Sequence, residues 1–121
     1  MSALKSKNRI DSLLHAMNGL KYILKETNFI IHICLIIVSF IISFIFKYSF
    51  NENLLLVIIG GILLFAEAIN TSIEKLCNFV EPNYNQHIKI IKDISAGSVL
   101  IIGVTFFIIN ILFVLKAFSF I

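Results

Sequence analysis

The chain has no tryptophan, a single proline and only two cysteines, and just 14% of its residues are charged. The missing tryptophan and the lone Pro82 bear little on function. Cys34 and Cys77 give no disulfide framework, and their spacing makes no metal motif. Isolated cysteines in apolar stretches of this kind are expected to be buried free thiols. The shortage of charge excludes more: a soluble domain of 121 residues needs far more polar surface to cover one core. No Gly-x-x-x-x-Gly-Lys loop and no kinase-type glycine loop is present, so any nucleotide would have to be held by scattered side chains. No small-residue cleavage site follows the first apolar run, and the apolar segments are therefore expected to stay in the mature protein.

What the chain does have is hydrocarbon. Hydrophobic residues make up 59% of it, and its mean hydropathy is +0.98. The reading is a single all-α, membrane-integral domain over residues 1–121, with an amphipathic interfacial helix followed by three transmembrane helices. Residues 1–7 are polar and expected to fray. Over about 9–27, Ile10, Leu13, Leu14, Met17, Leu20 and Leu24 form a one-sided apolar stripe, with Asp11, His15, Asn18, Lys21 and Lys25 opposite. Such a helix lies in the membrane interface, its basic face toward anionic headgroups. Spans follow at about 29–47, 54–77 and 94–118, each long enough for roughly 30 Å of hydrocarbon. Gly60-Gly61 and the run Ser95–Ser98 offer small-residue faces for close helix packing. Residues 78–92 read as a polar loop turned by Pro82.

Basic residues set the orientation. Lys5, Lys7, Arg9, Lys21 and Lys25 precede the first span, and Lys75, Lys89 and Lys92 flank the second connection; only Lys47 and Lys116 fall on the other side. The positive-inside rule makes the N-terminus and the 78–92 region cytoplasmic.

The second span carries the chemistry. Glu67, Asn70 and Glu74 recur at i, i+3 and i+7 and read as one polar stripe, continued by Asn78. Ionisable groups inside a membrane helix are costly unless they face a partner, water or an ion. Two carboxylates on one stripe also call for a cation nearby, be it a metal, a basic side chain or a shared proton. Glu26 at the entry to the first span, and Lys92 and Asp93 near the start of the third, share the membrane depth of Glu74. Carboxylates plus a lysine at that depth suit a divalent metal carrying nucleotide phosphates. Glu67 lies roughly 10 Å deeper than Glu74, where it could meet the hydroxyl of a lipid whose tails remain in the bilayer.

The run Glu67-Ala-Ile-Asn70-Thr71-Ser72-Ile73-Glu74, then Asn83-Tyr84, then Lys92-Asp93-Ile94-Ser95-Ala96-Gly97, strongly resembles the bacterial membrane-integral diacylglycerol kinase and undecaprenol kinase family. The resemblance covers nearly the whole chain, and Glu26-Thr27-Asn28-Phe29 looks like the family's entry to its first span. It implies an enzyme, a lipid kinase that moves the γ-phosphate of ATP, with Mg2+, to diacylglycerol or undecaprenol. It also implies a homotrimer with shared sites, working in the bacterial cytoplasmic membrane. By position, Glu67 matches the general base and Asn70 the amide beside it. Glu26 and Glu74 match the metal-holding carboxylates, and Lys92 matches the contact to the phosphates. Asp93 matches that lysine's neighbour in the nucleotide site, and Asn83, Tyr84 and Asn85 match the loop that covers the nucleotide. Three positions depart from the family pattern: Asn78 replaces the usual Asp, Ile30 the usual Arg, and Asn85 a common His. The short run after Asp93 leans toward the undecaprenol branch, and the two acceptors stay open.

Blander roles go to the remaining polar residues. His32 is expected to make a helix-packing hydrogen bond, Asn110 a helix–helix one, and Lys75 to snorkel. His15 and His87 have no ligand spacing around them. The competing function is a small oligomeric transporter or ion-conducting protein using Glu67 as its coupling carboxylate. Clustering of Glu74, Lys92 and Asp93 at one level, instead of along a path across the bilayer, weighs against it.

Overall fold

The computed structural model describes residues 9–118, which form four helices and no strand: α1 (Arg9–Ile23), α2 (Thr27–Phe46), α3 (Phe50–Val80) and α4 (Gln86–Ala117). The segment 1–7 expected to fray, with Lys5 and Lys7, lies outside the described residues. The last three helices are long and apolar enough to cross a membrane, as the hydrocarbon runs require. α3 is the central element. It packs along both α4 and α2, which barely meet each other. Its inward residues Leu56 and Leu63 are fully buried, and Ile59 and Leu63 close with Val99 and Phe106 of α4 into the apolar core. Gly60 is where α2 comes closest: a Cβ there would stand 3.3 Å from the Ile36 side chain, the close approach that small residues permit. Gly61 faces open space and has no such role.

The ends of the elements differ from the sequence reading. The first helix stops at Ile23 instead of running to residue 27, and Glu26 begins the next helix in extended conformation. The region 78–92 is not a loop. α3 continues to Val80, α4 starts at Gln86, and only residues 81–85 connect them. Polarity misled here because α3, at roughly 1.5 Å per residue, is about 45 Å long and outruns the hydrocarbon, so its last turns are helical and wet. Asn85 starts α4 by accepting hydrogen bonds from the N–H groups of His87 (2.9 Å) and Ile88 (3.3 Å). Asn110 donates to Phe106 O of its own helix, not to a neighbour. Cys77 is buried, whereas Cys34 is exposed on α2.

The α2–α3 turn is tightly tied. Lys47 takes the left-handed conformation at φ 55° and closes α2. Ser49 and Glu52 form a capping box, with Ser49 N and Oγ each 2.6 Å from Glu52 Oε2. Asn53 donates to Tyr48 O at 3.0 Å and accepts from Ser43 Oγ. Lys116 of α4 reaches Glu52 at 3.0 Å. Tyr48 stacks edge-on against Phe113; burial, and after it the charge of Glu52, pushes its phenol above the ordinary value.

α1 keeps its stripe uncovered. Ile10, Leu13, Leu14, Met17, Leu20 and Leu24 are all exposed. Such a face fits burial in the headgroup region of a bilayer.

Candidate active site

At the end of the bundle opposite the α2–α3 turn, the start of α2 and the lower half of α3 enclose a cavity of about 140 Å³. Glu26, Thr27 and Asn28 line one wall, and Glu67, Thr71 and Glu74 the other. Thus three of the predicted carboxylates meet at one site. Their exposure is graded: the Glu67 side chain is 4% exposed, while those of Glu26 and Glu74 are 36% and 53% exposed at the mouth.

Glu26 holds the N-cap position of α2, yet its side chain makes no capping bond. Its carboxylate instead reaches Lys75 Nζ at 2.7 Å. Lys75 is therefore a partner of the site, not only a snorkelling residue. Lys92 of α4 stands 3.8 Å from Glu74 Oε1 and donates to Asn78 Oδ1 at 3.2 Å. His32 Nε2 lies 3.6 Å from Glu67 Oε2. Each carboxylate consequently has its own basic neighbour, and those neighbours come from α2, α3 and α4. The Lys92 contact is long and partly exposed, so it holds the lysine only weakly and leaves it able to turn toward another anion.

Lys92 itself lines a different cavity, of about 350 Å³, with Asn78, Asn83, Tyr84, Asn85, Lys89 and Asp93. One lysine thereby joins the carboxylate cavity to the connection between α3 and α4. Asp93 is tied to Lys89 at 2.6 Å and does not face the carboxylates. Asn85 spends its side-chain oxygen on capping α4, and Tyr84 is largely exposed.

Asn70 is elsewhere. It lines an apolar groove of about 550 Å³ between α3 and α4, with Ser95, Ser98 and a wall of isoleucines. At roughly 100° per residue, Asn70 sits about 60° around α3 from Glu67, whereas Thr71 and Glu74 fall within about 40° of it. The stripe read from spacing thus divides between two cavities, with Asn70 at its edge in the α3–α4 groove. Thr71 and Asn28 belong to the carboxylate cavity and escaped the sequence reading; the i+4 step from Glu67 already pointed to Thr71.

Among the described residues no set of three His, Cys, Asp or Glu side chains is close enough to cage a metal. The donors present are nonetheless hard oxygens, from two carboxylates at the mouth with Asn28 and Thr71 beside them. That suits a divalent ion held by one or two carboxylates and completed by phosphate and water, the usual manner of Mg2+.

Comparison with known proteins gives one match: the family model described as prokaryotic diacylglycerol kinase covers residues 14–114. No curated protein and no solved structure matches the chain.

Proposed function

Because the chain belongs to the prokaryotic diacylglycerol kinase family, we propose that it transfers the γ-phosphate of Mg-ATP to the hydroxyl of a diacylglycerol or undecaprenol in its own membrane. Membership makes it a lipid kinase working at a bilayer and selects that class over a transporter. The finer reading rests on one observation above the others: Glu26, Glu67 and Glu74 line a single cavity, and Lys92 stands 3.8 Å from Glu74 beside it.

In this reading Glu67, the most buried of the three, accepts the proton of the lipid hydroxyl as its oxygen attacks the γ-phosphorus. Glu26 and Glu74 would hold the divalent ion, whose charge would offset that of the phosphates. Lys92 leaves its loose contact with Glu74 and meets the phosphates as a point charge. The cavity at Asn83, Tyr84, Asn85 and Asp93 receives the remainder of the nucleotide. No covalent intermediate on the protein is required, since such transfer depends mainly on positioning and charge neutralisation. Asn70 lies in the neighbouring α3–α4 groove, whose apolar wall fits a lipid tail.

Three further elements complete the proposal. The carboxylate end faces the cytoplasm, because Lys21, Lys25, Lys75, Lys89 and Lys92 lie there against Lys47 and Lys116 at the other end. α1 lies in the interface beside it. The working unit is a homotrimer with shared sites, for which the exposed apolar faces of α3 and α4, among them Val57, Leu100, Ile101 and Phe107, leave ample surface.

The test is transfer from labelled ATP by purified protein in mixed micelles with Mg2+, diacylglycerol and undecaprenol being offered separately and Glu67→Gln run beside it. Label in one lipid, absent with Glu67→Gln, is the expected result and identifies the acceptor. Absence of label in both, from folded protein, overturns the reading.

A further inference from the structure

Glu67 and His32 form a second level of the site, below the one made by Glu26 and Glu74. α2 and α3 run antiparallel here, so the step from Glu26 to His32, roughly 9 Å along α2, matches the roughly 10 Å from Glu74 down to Glu67. The two side chains meet at that depth, with His32 18% and Glu67 4% exposed, and Nε2 3.6 Å from Oε2. At that length they are not yet hydrogen-bonded. The other ring nitrogen, Nδ1, is sealed from solvent and has no hydrogen-bond partner among the described residues.

That asymmetry fixes the ring's chemistry. A proton on Nδ1 would be a buried donor with nothing to receive it, which is costly. A proton on Nε2 points at a carboxylate. A single ring proton therefore sits on Nε2 and leaves only a lone pair at the sealed nitrogen.

We propose that His32 is a positioning residue for Glu67: its Nε2–H holds Oε2, fixing the carboxylate's orientation so that the other oxygen takes the lipid hydroxyl's proton. This rests on the reading of Glu67 as the base. In the step itself, the hydroxyl proton passes to Glu67 Oε1, the lipid oxygen bonds to the γ-phosphorus, and the bond to the departing ADP oxygen breaks. His32 neither gains nor loses a proton. Its contribution is to remove wrong rotamers of a long carboxylate in a site where small misplacements are expensive in rate. The other charged groups at this cavity, Glu26 and Glu74, are carboxylates with no proton to donate to Glu67, and their own basic neighbours are Lys75 and Lys92.

Three substitutions separate this role from simple packing. Gln places an amide N–H near the Nε2 position, Asn places one near Nδ1, and Leu supplies none. Steady-state transfer is measured for each, with KM for ATP and for lipid, together with thermal unfolding in detergent. We expect His32→Leu and His32→Asn to lose roughly 30- to 100-fold in kcat with both KM values within about twofold of the parent. His32→Gln should recover to within about threefold. Equal kcat for folded His32→Gln and His32→Asn overturns the proposal, as does a loss confined to KM. Gln and Asn differ by one methylene, so the comparison survives even where the Leu variant does not fold. Glu67→Gln in the same assay separates the two levels of argument. If it is inactive while His32→Asn is fully active, only the positioning role falls; if it remains active, the base itself is wrong.

Discussion

At the α2–α3 turn, polar side chains find most of their partners within the turn itself and the helix ends beside it, with Lys116 of α4 as the one partner from outside. Ser49 bonds Glu52, and Asn53 bonds Tyr48 and Ser43, at lengths of 3.0 Å or less. At the carboxylate end the partners come from other helices, and two of the three stand off at 3.6 and 3.8 Å. Both ends are polar and both close a pair of long helices. What separates them is whether the groups are already satisfied. A turn that completes its own hydrogen bonds stabilises the fold and has nothing left for a ligand. An end that keeps three carboxylates in a cavity, with Lys92 only loosely held beside them, carries unspent electrostatic interaction, at a cost in stability. Tyr48 Oη, buried and without a partner among the described residues, is the turn's one exception.

The sharpest way to break this contrast is at Glu67. Glu67→Gln should lower transfer by about 10³-fold or more, while the thermal midpoint in detergent stays level or rises, because a buried charge has gone. A fall in both would make Glu67 a structural group like those of the turn. Removal of divalent ions by a chelator should likewise abolish label transfer, with activity returning on adding Mg2+. Lys92→Met comes next: KM for ATP should rise about tenfold, the scale of one charge-assisted contact, with little change in unfolding. At the turn the pattern should invert. Ser49→Ala, which removes the capping hydroxyl, should cost about 1 kcal/mol of stability and leave kcat unchanged. Smallest of all, Lys116→Ala removes a mostly exposed partner of Glu52 and should cost about 0.5 kcal/mol or less, measured by denaturant unfolding. Loss of activity in either turn variant would show that the ends are coupled.

The contrast also explains what could be read from the residues alone. The spans were legible because long hydrocarbon runs leave the chain little choice in lipid. Their ends were not, since the polar residues scattered through 78–92 read as a loop, whereas 78–80 and 86–92 are helical, lying on helices that outlast the bilayer. Glu26, Glu67 and Glu74 were legible as a group because charge in a membrane helix demands an explanation. Asn70 was assigned to their stripe, but a step of three along a helix drifts sideways, and in the fold it faces α4. His32 looked like ordinary packing. Only the register of α2 against α3 brings it to Glu67, and one chain's periodicity does not contain that register. Lys75 was likewise hidden, because its partner Glu26 belongs to another helix.

The connection between α3 and α4 has five residues, 81–85, and joins two rods of 31 and 32 residues. Such a short tether has almost no slack. It cannot swing as a flap, because Asn85 is anchored as a cap and Asn83 N is tied to Glu81 Oε1 at 3.0 Å. Whatever binds beside Tyr84 therefore meets a shelf already in shape and loses little to ordering it. Exchange of a bound molecule must then occur sideways, past an open rim. Grafting a flexible insert between Pro82 and Asn83 would turn the shelf into a flap, at the expense of that readiness.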